Sequence, residues 1–202
     1  MAADAPGRLY LVTPPEADPE ALAGTAEALL ASGAVACLRI ALASEDEADW
    51  VRAANHLMPV AHAAEVPVVV TDRVALVAGL GLDGVHLSPG SPPIASVRRT
   101  LGRDRIIGAH GGTTRHASMT LAEAGADYVS IGPLHALGDT APDALFEWWA
   151  EMIETPCVAE GGVTPEDAAR LSEIADFVVP DPAIWAAPDP AAALARYADA
   201  LG

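Results

Sequence analysis

Arg39, Asp72, Arg73, His86, His110, His135 and Glu160 each stand at or just beyond the end of a short apolar run. An arginine grips an anion through a planar fork of donors, and a carboxylate beside an imidazole can move a proton. Imidazole suits proton transfer near neutral pH, so His110 is the candidate catalytic acid or base; an inert pocket residue is the open alternative. Glu160 is the second catalytic candidate, either as a pocket base or as the ion-pair partner of Arg39 or Arg73. Gly161 and Gly162 follow it, where backbone N–H groups can approach a phosphate, or where the chain simply turns tightly. Three histidines with Asp72 could ligate zinc or another transition metal, but their spacing matches no metal motif.

These residues need a scaffold that brings strand ends together. Short apolar segments recur at approximately Arg8–Val12, Val35–Ile40, Pro67–Thr71, Gly84–Leu87, Arg105–Ala109, Asp127–Ile131, Pro156–Ala159 and Asp176–Val179. Helix-like stretches fit between them at Pro19–Ser32, Glu45–Ala63, Val74–Leu80, Pro93–Leu101, Arg115–Ala124, Pro142–Glu154, Pro165–Ile174 and Ala183–Leu201. Pro19, Pro93, Pro142 and Pro165 suit first helical turns, Thr164 suits an N-cap, and Gly33 and Gly125 suit helix ends. Eight regular units predict an α/β fold, a single (β/α)8 TIM barrel over residues 1–202, with reactive side chains at the strand C-termini. A doubly wound sheet would need fewer units.

The formal net charge of −17 and the pI of about 4.4 describe a surface that repels phosphate backbones and anionic lipid. The expected partner is a small-molecule ligand, with no nucleic acid and no membrane. Cys37 and Cys157 lie in apolar runs without a CxxC pattern, which predicts buried thiols more than a disulfide. The N-terminus lacks the basic and apolar regions of a signal peptide, and no run is long enough to span a bilayer, so a cytoplasmic protein is expected. Phe146, Trp148, Trp149 and Met152 have helical spacing and predict core packing or a homodimer face.

The order LYLVT, CLR, VVVTDR, DGVHLS, IIGAH, GADYVSIGP and VAEGGVTPEDA resembles the thiamine-phosphate synthase family and its relative, thiazole tautomerase, from about Arg8 to Asp181. The resemblance implies the barrel and a site at its mouth. It implies that a pyrimidine diphosphate is joined to a thiazole phosphate with loss of diphosphate, aided by basic groups and carboxylate-held magnesium. The strand-end residues Arg39, Asp72, Arg73, His86, Gly132, His135, Gly161 and Gly162 are the candidates for substrate binding, and the resemblance makes Asp72 the surviving magnesium ligand. Thiazole tautomerase uses a histidine in the loop after the fifth strand, two residues beyond the position of His110.

Departures from the family pattern cluster at the charges. Cys37 and Ala41 stand where glutamine and lysine are usual, and Ser91 stands where a second metal carboxylate is usual. The loop after Pro133 has no lysine and carries Asp139 and Thr140; Glu160 replaces isoleucine; Pro180-Asp181-Pro182 replaces a small phosphate-binding turn. The expected function is therefore that of a divergent member that binds or acts on a small thiamine-related heterocycle, its synthase activity weak or lost. Magnesium is required only if synthase activity is retained. The alternatives are a functional thiamine-phosphate synthase, a thiazole tautomerase, or a non-catalytic binding barrel.

Overall fold

The computed structural model describes residues 8–16, 18–136 and 143–202. Its strands are β1 (Leu9–Val12), β2 (Val35–Ile40), β3 (Val68–Thr71), β4 (Gly84–Leu87), β5 (Ile106–His110), β6 (Tyr128–Ile131), β7 (Cys157–Val163) and β8 (Phe177–Pro180). All pair in parallel and in chain order, and β8 closes on β1, so the barrel expected from the alternation is the observed architecture. The helices between and after them are α1 (Pro19–Leu30), α2 (Glu47–Ala63), α3 (Val74–Leu80), α4 (Ile94–Leu101), α5 (Arg115–Glu123), α6 (Asp143–Met152), α7 (Pro165–Leu171) and α8 (Pro190–Leu201).

Local chemistry sets these boundaries. Asp18 caps α1 by accepting the Glu20 N–H at 3.1 Å, with Pro19 at the first helical position. Thr164 and Asp167 form a reciprocal capping box at α7. Pro93 caps α4 instead of entering it. Pro142, Asp139 and Thr140 lie outside the described residues. The helix expected over Ala183–Leu201 is in fact two pieces, a 3-10 turn at Pro182–Ala186 and then α8. Pro188 disfavours helical backbone at Ala187, which is extended, and Asp189 then caps a new start. β7 runs past its expected end because Val163 pairs with Pro180 after an irregularity beyond Ala159.

Strand alternation divides the barrel into two cores. Outward residues such as Leu11, Leu38, Ile40, Val70, Ile107, Val129 and Ala159 pack against the helices, including Phe146 and Trp149 of α6. Of the α6 set, Met152 is 64% exposed. Inward residues form a smaller core of Tyr10, Cys37, Val69, Tyr128, Val158 and Val179. Both cysteines are free and buried, and burial pushes their thiols up to about 12. No described helix is long and apolar enough to cross a membrane.

Candidate active site

The period of two that points Cys37, Tyr128 and Val158 inward also points Arg39, Ser130 and Glu160 inward, one layer nearer the mouth. His110 sits beside Ser130 in the β5–β6 register, and His86 beside Gly108. Four of the residues singled out from the sequence therefore converge: Arg39, His86, His110 and Glu160. The Arg39 guanidinium donates to Glu160 Oε2 at 2.9 Å, with the side chains 11% and 14% exposed. His110 Nδ1 lies 2.7 Å from Glu160 Oε1 and 3.0 Å from the Ser130 hydroxyl. A carboxylate only accepts, so Nδ1 carries a proton in that contact.

Electrostatics follow from this packing. Burial alone would raise the Glu160 carboxyl, but the His110 hydrogen bond and the Arg39 charge outweigh it and hold the group well below the usual carboxylate range. Burial would lower Arg39, yet the Glu160 charge more than compensates, so the guanidinium stays charged. Burial, with the Arg39 charge, holds His86 well below its ordinary value, so that ring is neutral.

Beneath the cluster runs a buried polar chain that inspection of the sequence misses. His86 Nδ1 is 2.9 Å from the Tyr128 hydroxyl, which is 2.5 Å from the Tyr10 hydroxyl. The Tyr128 ring stacks on His86, and the Arg39 guanidinium lies over Tyr10 at 5.6 Å. A Cβ at Gly108 would overlap the Tyr128 ring, so glycine there is what lets the tyrosine cross the barrel interior. The signal was available: Tyr10, Tyr128 and Ser130 share the inward phase of their strands with the charged residues.

A cavity of about 370 Å³ opens at the mouth against Arg39, His110, Glu160, Gly161, Pro180 and Pro182. Gly132 packs against the Glu160 carbonyl so closely that a Cβ would clash. Gly161 and Gly162, at φ 86° and 78°, form the irregularity in β7 between Ala159 and Val163, in backbone that favours glycine. His135 is exposed on the short 3-10 turn Leu134–Ala136 after β6, its Nδ1 3.3 Å from the Gly161 carbonyl.

Asp72 and Arg73 stand apart from this cluster. Arg73 lies over the Trp50 ring at 4.8 Å and donates to the Ser44 carbonyl at 3.3 Å. Asp72 is exposed, and its Oδ1 accepts the Ser88 N–H at 2.8 Å and the Ser91 hydroxyl at 2.5 Å. Magnesium finds one carboxylate and one hydroxyl here, an all-oxygen set that suits a hard cation only when substrate oxygens complete its shell. Among the described residues the one grouping with metal-ligand proximity is His86, His110 and Glu160, their candidate atoms within 4.8 Å of one another. Asp72 and His135 are not in it, and Glu160 Oε2 already faces a guanidinium.

A family model described as thiamine monophosphate synthase matches residues 9–179. The chain belongs to that family. It is 40% identical to a thiamine-phosphate synthase of Rhodospirillum centenum over 197 residues, covering 94% of this chain and 95% of the relative. It is 37% identical to a thiamine-phosphate synthase of Hyphomonas neptunium over 205 residues, covering 96% and 93%. The fold superposes on a thiamine phosphate pyrophosphorylase from Pyrococcus furiosus with a TM-score of 0.81 at 21% identity, covering 96% and 95% of the two chains. The match to these relatives thus runs over nearly the whole of each chain, and the fold is shared with the Pyrococcus protein. The chain contains no lysine; all its Lys-plus-Arg cations are arginines.

Proposed function

We propose that this protein transfers a pyrimidine group from its diphosphate to the nitrogen of a thiazole, the reaction type of the relatives named thiamine-phosphate synthase. The supporting observation is the ionised Glu160 carboxylate, fixed by Arg39 and His110 beside the mouth cavity. When the carbon–oxygen bond to diphosphate breaks, the electron pair leaves with diphosphate and positive charge grows on the pyrimidine methylene. A fixed carboxylate opposes that charge without reorganising, and the thiazole nitrogen then forms the new carbon–nitrogen bond. From the sequence, Glu160 reads as an acid set against phosphate. Its pairing with Arg39 directs it to the barrel interior and removes one reason to expect lost activity.

Arg39 supplies guanidinium charge at the mouth, and the glycines Gly132, Gly161 and Gly162 let substrate approach the backbone. Asp72 with the Ser91 hydroxyl would hold magnesium, which when bound supplies positive charge to the leaving diphosphate. A second reading, thiazole tautomerisation, is favoured by the 2.7 Å His110–Glu160 contact, which orients an imidazole for proton transfer.

The test is a product assay with the pyrimidine diphosphate and excess magnesium, the thiazole offered as the alcohol and as the phosphate ester. Product with either acceptor, falling about 10²-fold or more in Glu160→Gln, is expected. No product with either would leave the weak, lost or non-catalytic alternatives. Isomerisation of a thiazole tautomer that is abolished in His110→Gln would favour the second reading.

A further inference from the structure

In (β/α)8 barrels an anionic substrate group is commonly seated on backbone N–H groups beyond strands seven and eight, at the start of a short extra helix. This barrel has the short helix, Pro182–Ala186, directly after β8. Its donors are all engaged or missing. Pro180 and Pro182 have no N–H. The Asp181 N–H donates to the Tyr197 hydroxyl at 3.2 Å, and that hydroxyl donates to the Val163 carbonyl at 3.0 Å. The Ala183 N–H donates to the carboxylate of Asp181 at 2.8 Å. The Ile184 N–H donates to the Asp181 carbonyl at 3.1 Å. From residue 180 to residue 184 the backbone offers nothing to an outside anion, and the anion at the turn is the protein's own.

This turn faces the site already described, because Pro180 and Pro182 line the same cavity as Arg39, Glu160 and Gly161. Gly161 and Gly162 remain within the last residues of β7, beside a Glu160 already paired with Arg39. A phosphate dianion entering here would shed water and meet the Asp181 carboxylate with only the β7 glycines left of the usual backbone cradle. A hydroxyl tail loses far less on desolvation and is not repelled.

We propose that Asp181 sets acceptor specificity, so that the thiazole placed against β8 carries an uncharged hydroxyl tail and not a phosphate ester. This rests on the pyrimidine-transfer reading above. The chemistry at the nitrogen is unchanged: diphosphate leaves with the bonding pair, the carbon–nitrogen bond forms, and the tail takes no part.

The experiment is calorimetric titration of the full chain with the hydroxyethyl thiazole and with its phosphate ester, in wild type and in Asp181→Asn, beside turnover with each acceptor. Asparagine keeps the helix-capping acceptor while removing the charge; Asp181→Ser, also a capping residue, serves if that variant does not fold. Wild type is expected to bind the alcohol at least about tenfold more tightly, about 1.4 kcal/mol. The variant is expected to narrow that gap by gaining affinity for the phosphate ester. Tighter binding of the ester by wild type, binding of neither, or an unchanged preference in the variant overturns the inference. Preferential binding of the alcohol without turnover of either acceptor removes the transfer reading and leaves this specificity standing.

Discussion

Two carboxylates stand at the mouth of the barrel. Glu160 is sunk on the β2–β5–β7 side and held by a guanidinium and an imidazole. Asp72 is exposed on the β3–β4 side and held by a backbone N–H and a serine hydroxyl. Burial explains the contrast. A carboxylate removed from water needs a counter-charge, whereas one at the rim is satisfied by neutral donors and by solvent. The lesson is that charge at this mouth is sorted by depth, with ion pairs inside and hydroxyls outside, so equal substitutions on the two sides should have unequal effects.

The sharpest way to break that contrast is to remove one buried partner. Glu160→Ala leaves the Arg39 guanidinium uncompensated and is expected to destabilise the fold by about 3–5 kcal/mol in denaturant unfolding. The double variant Arg39→Met, Glu160→Ile should recover most of that loss. Equal destabilisation by both variants would mean that the pair is not what the interior depends on.

Acid titration probes the same side. Folded Glu160 ionises below the usual carboxylate range, so its stabilisation is complete above the unfolded value of about 4.3 and is lost as pH falls toward the folded one. Folded His86 is held neutral well below the unfolded value of about 6.5, so the unfolded chain binds the extra proton in that window. Both signs agree. The melting temperature is expected to fall as pH drops below about 6.5 and more steeply below about 4.3, and His86→Gln should flatten the first phase alone. A melting temperature constant from pH 7 to pH 4 would contradict the buried arrangement.

Tyr128→Phe removes the hydroxyl between His86 and Tyr10 and leaves two buried polar groups short of a partner. About 1–3 kcal/mol of stability should be lost, measured beside Tyr10→Phe, which strands fewer groups and should cost less. The rim gives the smallest effect. Ser91→Ala should change stability by less than about 1 kcal/mol, and magnesium alone should give no tight isotherm with the wild type. Ser91→Asp should tighten magnesium binding in the presence of diphosphate. Tight magnesium binding by the unmodified protein would mean that one carboxylate and one hydroxyl suffice at this rim.

The eight strand–helix units were legible because each strand is a short apolar run with punctuation at its ends. The Arg39–Glu160 pair was among the readings open from residue types alone, since a buried acid at a strand end needs a cation. What was not legible is which strand ends lean together. Arg73 follows Asp72 directly in sequence, yet it turns away to Trp50 and Ser44. His135 stays on the surface while His86 and His110 meet Glu160. Those choices depend on barrel register and on loop paths, which residue spacing does not encode. The tyrosine chain was hidden for another reason: an isolated tyrosine in a strand reads as ordinary packing until its phase is followed across the neighbouring strands. The break before α8 was readable from Pro188 and Pro190, which a longer helix could not have absorbed.

Gly108 and Tyr128 occupy one space between them. A lineage that gains a methyl group at position 108 must give up the ring at 128, and a lineage that shrinks 128 loses the reason to keep 108 bare. The two positions should therefore change as a couple across related barrels, with each exchange also deciding whether His86 keeps its hydroxyl neighbour. A site whose charged residues look independently replaceable is in this way tied to the history of two interior positions that carry no charge at all.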